Sequence, residues 1–457
     1  MNEVPLDISA AVLPSREMLG REYILGGASY GDILRLAASI VSWSSHKGRH
    51  GHPLCLGTSS KALLMAAVIA SLDNGPGLVV PASLSGPVIA EACAATRASA
   101  VLTDRSIALP KGIHPVPLHG EKAAVLPWRL QRETDKPFLW LYTGGSTGAP
   151  RLWPKTPNNL IGEALNLRDV FAIGENDVLV STVPPLHIYG LLFSVLLPFV
   201  AHARVSDDTP YFPREIVRAV DRARATVLIG SPMHYRSLSA SSFRMKHLRR
   251  AFSSGGFLEE ADSLHFTCAT GAGVSEIYGS TETGGVAIRC RAEGQSAWQP
   301  FSCVRWMMNR GRLAVSSPFL SPNLRTNKEG FFTTGDVASD FGDGTFLLHG
   351  RADGIVKIGG KRVNIAAIEQ KIKSLSYITD AWVLSLPSRS GREHDLAVLI
   401  VTKRTPAYLR KVFARILEPT HLPRRIVRVP SIPTAPSGKR DHRGALLLLS
   451  RQEDRSR

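Results

Sequence analysis

Tyr142-Thr143-Gly144-Gly145-Ser146-Thr147-Gly148-Ala149-Pro150-Arg151 follows directly on the apolar run Phe138-Leu139-Trp140-Leu141. An apolar run that opens into glycines and hydroxyls reads as a buried strand ending in a mobile loop, whose backbone N–H groups can surround phosphate oxygens. The stretch is not a Walker loop, because no Gly-Lys-Ser/Thr follows its glycines and its first basic residue, Arg151, comes after a proline. Taken alone it reads equally well as a Gly/Ser-rich surface turn. The rest of the chain has to decide between the two.

Outward from this loop, helical and strand-like patterns alternate. Residues 29–44 place Ile33, Leu36, Ala37, Ile40 and Val41 on one helical face, with Ser29 or Asp32 available to cap it. A second helical pattern covers 61–72 before the apolar Leu78-Val79-Val80, and a third covers about 85–95 before Ala100-Val101-Leu102. Beyond the loop, Thr156-Pro157 supplies a cap and a first-turn proline to a helix carrying Leu160, Ala164, Leu167 and Phe171 on one face. Such alternation implies α/β layering.

Several strand-like runs end in glycines or rigid turns. Residues 178–183 run into Pro184-Pro185-Leu186-His187-Ile188-Tyr189-Gly190, which sets an imidazole and a phenol at a strand end, a plausible pocket wall. Phe252-Ser253-Ser254-Gly255-Gly256-Phe257 is a second such end, and Glu276-Ile277-Tyr278-Gly279-Ser280-Thr281-Glu282 a third. Together they suggest one crevice at the carboxyl edge of a sheet, where open α/β folds bind ligands.

At 457 residues the chain exceeds one ordinary core and is expected to split into at least two domains. We expect an N-terminal domain over 1–352 and a compact α+β module over 353–457, with the boundary at Ala352-Asp353. The module is read as a helix near 366–374, strands near 381–385 and 396–402, and a helix near 406–417. The start, MNEVPLDISA, has no basic region leading into an apolar core, so no secretory signal is expected. The most apolar run, 191–201, contains Pro198 and falls well short of the ~20 residues that cross a bilayer. A cytoplasmic protein without a membrane span is the expectation.

Five cysteines without CxxC spacing argue against a disulfide framework and against a zinc site. The net charge of +17 is concentrated at the C-terminal end, where residues 354–457 carry 21 Lys and Arg against 8 Asp and Glu. That surface suits an acidic or phosphorylated partner, or a well-solvated face. It lacks the basic-aromatic interleaving and zinc-finger spacing of a nucleic-acid binder, and no nucleic acid is expected.

In order and spacing, YTGGSTGAPR (142–151), YGSTE (278–282), TGD (334–336), GRADGIVKIGGKRV (350–363) and PSGK (436–439) resemble the adenylate-forming superfamily. That superfamily includes acyl-CoA synthetases, aryl-acid ligases and peptide-synthetase adenylation domains, and the resemblance runs from about Ser29 to Leu449. It implies a large multi-layered α/β N-terminal domain with a small mobile α+β C-terminal lid. It implies an ATP site in which Thr143, Gly144, Gly145, Ser146, Thr147, Gly148 and Arg151 hold the β- and γ-phosphates, and Thr281 contacts the α-phosphate. By the same resemblance Glu282 holds Mg²⁺. Glu276, Tyr278 and Gly279 belong to the same nucleotide site, with Tyr278 stacking on adenine and Gly255-Gly256 letting the base lie on bare backbone. Asp336 accepts from the ribose hydroxyls, supported by Arg351. Lys439 matches the catalytic lysine and Asp353 the hinge, Gly359-Gly360 match the face shown to the thiol, and His187 stands in the acid-side turn.

The chemistry implied is acyl-adenylate formation from a carboxylic acid and MgATP, followed by thioester formation on CoA or on the phosphopantetheine of an acidic acyl carrier protein. Three positions depart from the family pattern: Gly144 stands for Ser or Thr, Arg151 for lysine, and Gly354 for a frequent aspartate. The His187-Ile188-Tyr189-Gly190 turn continues into Leu191-Leu192-Phe193 without the aspartate that amino-acid-activating relatives use. An acid without an α-amino group is therefore expected. The turn is similar to those of acyl- and aryl-CoA ligases, and with the pocket-side segment Ser231-Pro232-Met233-His234-Tyr235 it suits a small aromatic, hydroxybenzoate-like acid, with a medium-chain fatty acid as the alternative and a degenerate adenylate-binding protein as the non-enzymatic one.

Overall fold

The computed structural model describes residues 8–45, 52–107, 109, 111–117, 128, 130–143, 151–239, 243–351, 354–359, 361–388, 394–433 and 441–451. The chain divides into two compact units. The first is built from described residues up to 334 together with 339–347, and the second from 335–338 and from 348 onward.

The α/β expectation holds. In the first unit one sheet orders His114–Pro115, Ala100–Leu102, Leu54–Leu56, Leu78–Val80, Leu139–Thr143 and Arg151–Lys155. Its strands are parallel except the last, which returns antiparallel from Leu139–Thr143 with Thr143 opposite Arg151. The expected helices are present as Tyr30–Ser44, Lys61–Leu72 and Gly86–Thr96. The cap at the first is a reciprocal box, in which the Ser29 hydroxyl accepts from the Asp32 N–H and the Asp32 carboxylate from the Ser29 N–H. Lys61–Leu72 is buried almost all round, which explains its weak amphipathicity.

A second sheet orders Gln299–Pro300, Gly284–Cys290, Val274–Ser280, Arg250–Ser254, Val227–Gly230, Val178–Ser181 and Arg204–Val205. The five strands from Val274–Ser280 onward are parallel to their neighbours, and the other two are antiparallel. One face packs under Pro213–Ala223, Pro232–Ser239 and Glu260–Thr270 through Val180, Leu228, Ala251, Val274, Tyr235 and Phe266. The other face meets the chain that follows Phe171 and Gly190 through edge-on rings, Phe252 against Phe171 at 4.6 Å and against Phe193 at 5.0 Å. Parallel order aligns the strand ends Ser181, Gly230 and Ser254 along one edge.

One sequence expectation is corrected. The segment 276–282 is not a strand end at its glycine, because Val274–Ser280 runs through Gly279 and returns as Gly284–Cys290. Residues 232–239 form helix Pro232–Ser239, whose His234 and Tyr235 are buried. Strand Arg425–Arg428 and helix His442–Arg451 were not anticipated.

The hairpin strands Phe332–Gly342 and Thr345–Arg351 lead the chain from the first unit into the second. The second unit opens with the antiparallel pair Ile355–Ile358 and Lys361–Asn364. Its sheet sets His394–Thr402 between antiparallel Ile378–Pro387 and parallel Arg425–Arg428. Helices Ile365–Lys373 and Pro406–Ile416 cover one face through Ile368, Ile372, Leu409 and Phe413. Ala445 and Leu449 of the last helix cover the other.

Candidate active site

The hairpin Val274–Ser280 and Gly284–Cys290 carries most of the residues expected at the nucleotide. Its register slips between Tyr278 and Gly279, so the strands bulge where Gly279 meets Gly284 and Gly285. A Cβ on Gly279 would lie 2.3 Å from the Gly284 carbonyl oxygen, so only glycine fits there. The turn beyond it is rigid. The Ser280 N–H donates to the Thr283 hydroxyl oxygen at 3.1 Å, the Thr283 N–H to the Ser280 hydroxyl oxygen at 3.2 Å, and the Ser321 N–H to the Glu282 carbonyl at 2.8 Å. Thr281 and Glu282 ride on this turn, both half-buried.

Glu276 lies directly opposite Arg289, which donates to both of its carboxylate oxygens at 2.9 and 2.8 Å. Both side chains are almost wholly buried, and the Arg289 guanidinium stacks over Trp298 at 4.2 Å. Trp298 in turn stands 5.6 Å from the Tyr278 ring, and the buried Phe346 ring 6.1 Å from it. The Glu276 carboxylate is thus engaged on both oxygens by Arg289, and it supports the hairpin that carries Tyr278. Arg289, Trp298 and Phe346 were missed from sequence: Gly284-Gly285 after Thr281-Glu282-Thr283 is a turn signal, but the turn alone would set Glu276 opposite Ile288, and only the register slip at Gly279 brings Arg289 there.

Strand Arg250–Ser254 ends in Gly255 at φ +89°, a conformation suited to glycine, with nothing within 4 Å of where a Cβ would stand. Ser254 pairs with Ile277, so the next step along the register sets Gly255 beside Tyr278. Gly256 follows, half-buried. A phenol ring and a bare backbone thus share one edge of the sheet, as a stacked base requires.

Two strands further along the sheet, beyond the end of Val178–Ser181, exposed His187 precedes helix Ile188–Leu191. A Cβ on Gly190 would stand 2.0 Å from the Pro184 carbonyl oxygen, so the turn closes only around glycine. Tyr189 packs edge-on against Phe193 at 4.9 Å, and its hydroxyl is buried without a hydrogen-bond partner among the described residues. At the start of helix Pro232–Ser239, His234 Nδ1 accepts from the Ser231 N–H and meets the Ser231 and Thr182 hydroxyls at 2.8 and 2.9 Å. Burial pushes this imidazole down to about 4. The unfolded chain takes up this proton near pH 6.5 and the folded chain only near 4, so the stability contributed by neutral His234 is lost as pH falls through that window. Between pH 7 and pH 5 the stability of the wild type, read by urea unfolding, is expected to change less favourably than that of His234→Gln by about 2 kcal/mol.

Behind the Glu282 turn lie three buried polar side chains spaced four residues apart, Lys155, Asn159 and Glu163. Lys155 Nζ donates to the Phe319 carbonyl at 3.4 Å, and Asn159 Nδ2 to the Pro318 and Leu320 carbonyls at 2.9 and 3.1 Å. Glu163 Oε1 accepts from the Gly285 N–H at 2.7 Å, while Oε2 is buried without a hydrogen-bond partner among the described residues. Burial pushes the Lys155 ammonium down to about 8, opposed by the nearby Glu163 and Glu282 carboxylates. Burial likewise raises the Glu163 carboxyl to about 7, opposed by Lys155.

Asp336 is half-buried in Phe332–Gly342, on the portion of that strand belonging to the second unit. Gly359 takes φ +56° at the corner between Ile358 and Lys361. Arg151 is exposed at the start of its strand. Thr143 and Arg351 are described in their backbones, each at the end of a strand. Gly144, Gly145, Ser146, Thr147, Gly148, Asp353, Gly360 and Lys439 lie outside the described residues.

A parallel sheet whose carboxyl edge carries a glycine exit, a supported tyrosine and a carboxylate turn is laid out as a ligand-binding α/β domain. Residues 77–314, more than half of the chain, match the family model of AMP-binding enzymes, and the chain belongs to that family. The resemblance read from the order of the motifs is thereby borne out, and Tyr278, Thr281 and Glu282 fall inside the matched span. An anthranilate–CoA ligase from Pseudomonas aeruginosa is 27% identical over 65% of this chain and 64% of its own. A 3-hydroxybenzoate–CoA/4-hydroxybenzoate–CoA ligase from Thauera aromatica is 25% identical over 62% of this chain and 59% of its own. The alignments therefore span less than two thirds of these curated relatives. The amide bond synthetase McbA from Marinactinospora thermotolerans has the same fold, with a TM-score of 0.73 at 17% identity over 96% of this chain and 99% of that one. No helix among the described residues is long and apolar enough to cross a membrane.

Proposed function

We propose that the chain is an ATP-dependent carboxylic acid ligase that forms an acyl-adenylate and then a thioester. The observation that carries this reading is the rigid Ser280–Gly285 turn, which holds Thr281 and Glu282 beside the supported Tyr278 ring. Tyr278 and Gly255-Gly256 take the base, Asp336 and Arg351 the ribose, Thr281 the α-phosphate, and residues 143–148 with Arg151 the pyrophosphate side. Among the described residues no three His, Cys, Asp or Glu side chains cluster. The single hard oxygen ligand of Glu282 therefore fits Mg²⁺ arriving with the nucleotide's phosphates rather than a protein cage. Bound there, Mg²⁺ neutralises charge on the phosphates.

In the first half-reaction a carboxylate oxygen attacks the α-phosphorus and the bond to the β-phosphate oxygen breaks, releasing pyrophosphate. The Lys439 ammonium stabilises the two anions brought together there. In the second, a thiol sulfur attacks the acyl carbonyl and AMP leaves with its phosphate oxygen. Residues 353–457 serve as the lid, with Asp353 as hinge, withdrawing Lys439 after adenylation and presenting Gly359-Gly360 to the thiol arm. The division at 352/353 and the placement of His187 in the acid-side wall are part of this reading.

For the acid, the helix after His187 continues into buried Leu191, Leu192 and Phe193, which leaves an α-amine without a counter-charge. The buried Tyr189 hydroxyl, lacking a partner among the described residues, supports an acid with a polar ring substituent. Two relatives named for anthranilate and for hydroxybenzoates support the same class. For the acceptor, the basic residues 354–457 favour an acidic carrier protein bearing phosphopantetheine, with CoA as the other thiol. A pyrophosphate-exchange screen is expected to rank hydroxybenzoates above benzoate, octanoate and amino acids. Product assays with CoA and with holo-carrier protein then identify the thiol. Exchange with octanoate alone would overturn the aryl assignment, and AMP binding without exchange on any acid would overturn the enzyme.

A further inference from the structure

Lys155, Asn159 and Glu163 are buried ionic and polar groups that no step above uses. Burying a charge is costly unless it is paired and hydrogen-bonded. Among the described residues the Lys155 side chain makes one long hydrogen bond, to Phe319, and the Glu163 side chain accepts one, from Gly285. Apolar side chains would fill such a space at less cost, so these groups point to a task other than stability.

Their contacts indicate the task. Lys155 and Asn159 hold the carbonyls of Pro318, Phe319 and Leu320. The next residue, Ser321, donates its N–H to the Glu282 carbonyl. Glu163 takes the Gly285 N–H on the far side of the same turn, and its second oxygen stands 2.7 Å from where a Cβ on Gly284 would be. One short segment therefore grips both flanks of the Thr281-Glu282 turn, and its helix opens with the π-helical stretch Asn158–Gly162, a widening that often marks functional positions.

We propose that Lys155, Asn159 and Glu163 are positioning residues, clamping the turn from its buried side so that the Glu282 carboxylate is held ready for a divalent cation. The proposal rests on the reading of Glu282 given above. Its decisive group is the Glu163 oxygen on Gly285, because a glutamine keeps a carbonyl oxygen there and an alanine does not.

The test is Mn²⁺ binding to the full chain in the presence of α,β-methylene ATP, followed by electron paramagnetic resonance, with metal-free adenosine binding measured in parallel. Glu163→Ala is expected to weaken Mn²⁺ binding about tenfold, the scale of one charged hydrogen bond, with adenosine affinity unchanged within twofold. Glu163→Gln is expected to recover most of the loss, and Asn159→Ala to reproduce the alanine effect from the other flank. A parallel fall in adenosine and Mn²⁺ affinity, an unchanged Mn²⁺ affinity in both alanine variants, or failure of glutamine to restore binding would overturn the proposal. A wild-type chain that binds the analogue with Mn²⁺ while the variants behave identically sinks only the clamp. A wild-type chain that binds neither removes the functional reading and the clamp together.

Discussion

Lys439→Ala is expected to lower acid-dependent ATP–pyrophosphate exchange about 10²–10³-fold while leaving thioester formation from supplied acyl-adenylate largely intact. The asymmetry follows from where charge develops. Adenylation brings a carboxylate to an anionic phosphate, and an ammonium between them stabilises the transition state more than the separated reactants. Thioester formation starts from an adenylate whose mixed anhydride is already activated, and in the proposed cycle Lys439 has by then been withdrawn by its lid. Stopped-flow assays of the two half-reactions distinguish the cases, and equal loss of both would contradict the two-conformation reading.

Arg289→Ala is expected to cost about 3–5 kcal/mol of folding stability, read as a lower urea midpoint. The loss does not measure the strength of an ion pair. It reflects the buried Glu276 carboxylate left without its bidentate partner, and Trp298 without the guanidinium stacked on it at 4.2 Å. Arg291 reaches Glu276 only at 3.4 Å, which places the loss toward the lower end of that range. A Glu276→Gln/Arg289→Met double variant is expected to recover much of the stability, since an uncharged pair carries no desolvated ion. Loss of less than 1 kcal/mol in Arg289→Ala would contradict a supporting role for the pair. The nucleotide affinity of the double variant then tests whether Tyr278 depends on the cluster beneath it.

How much was legible in the sequence depends on the range of the forces involved. Helices Tyr30–Ser44 and Lys61–Leu72 were readable because period and cap are local properties of the chain. Tyr278, Glu282 and Gly255 could be picked out because glycines and hydroxyls after apolar runs mark strand exits. The Glu276–Arg289 pair was not read, because it depends on the register of a hairpin whose bulge lies at Gly279. Asn159 and Glu163 border the apolar stripe of Leu160 and Ala164, and periodicity alone does not mark polar side chains there as interior. Only the packing of the 318–321 loop onto that segment makes them interior. His234 and Tyr235 looked like pocket lining for the opposite reason: Ser231-Pro232 signals a turn but does not reveal that the next residues start a helix under the sheet.

The most direct test of the account is a crystal structure of the full chain with the sulfamate analogue of hydroxybenzoyl-adenylate. Adenine is expected against Tyr278 and Gly255-Gly256, the sulfamate at Thr281, the ribose at Asp336, and the aryl ring beside Tyr189. Adenine bound away from Tyr278, or an aryl group that does not reach Tyr189, would contradict it.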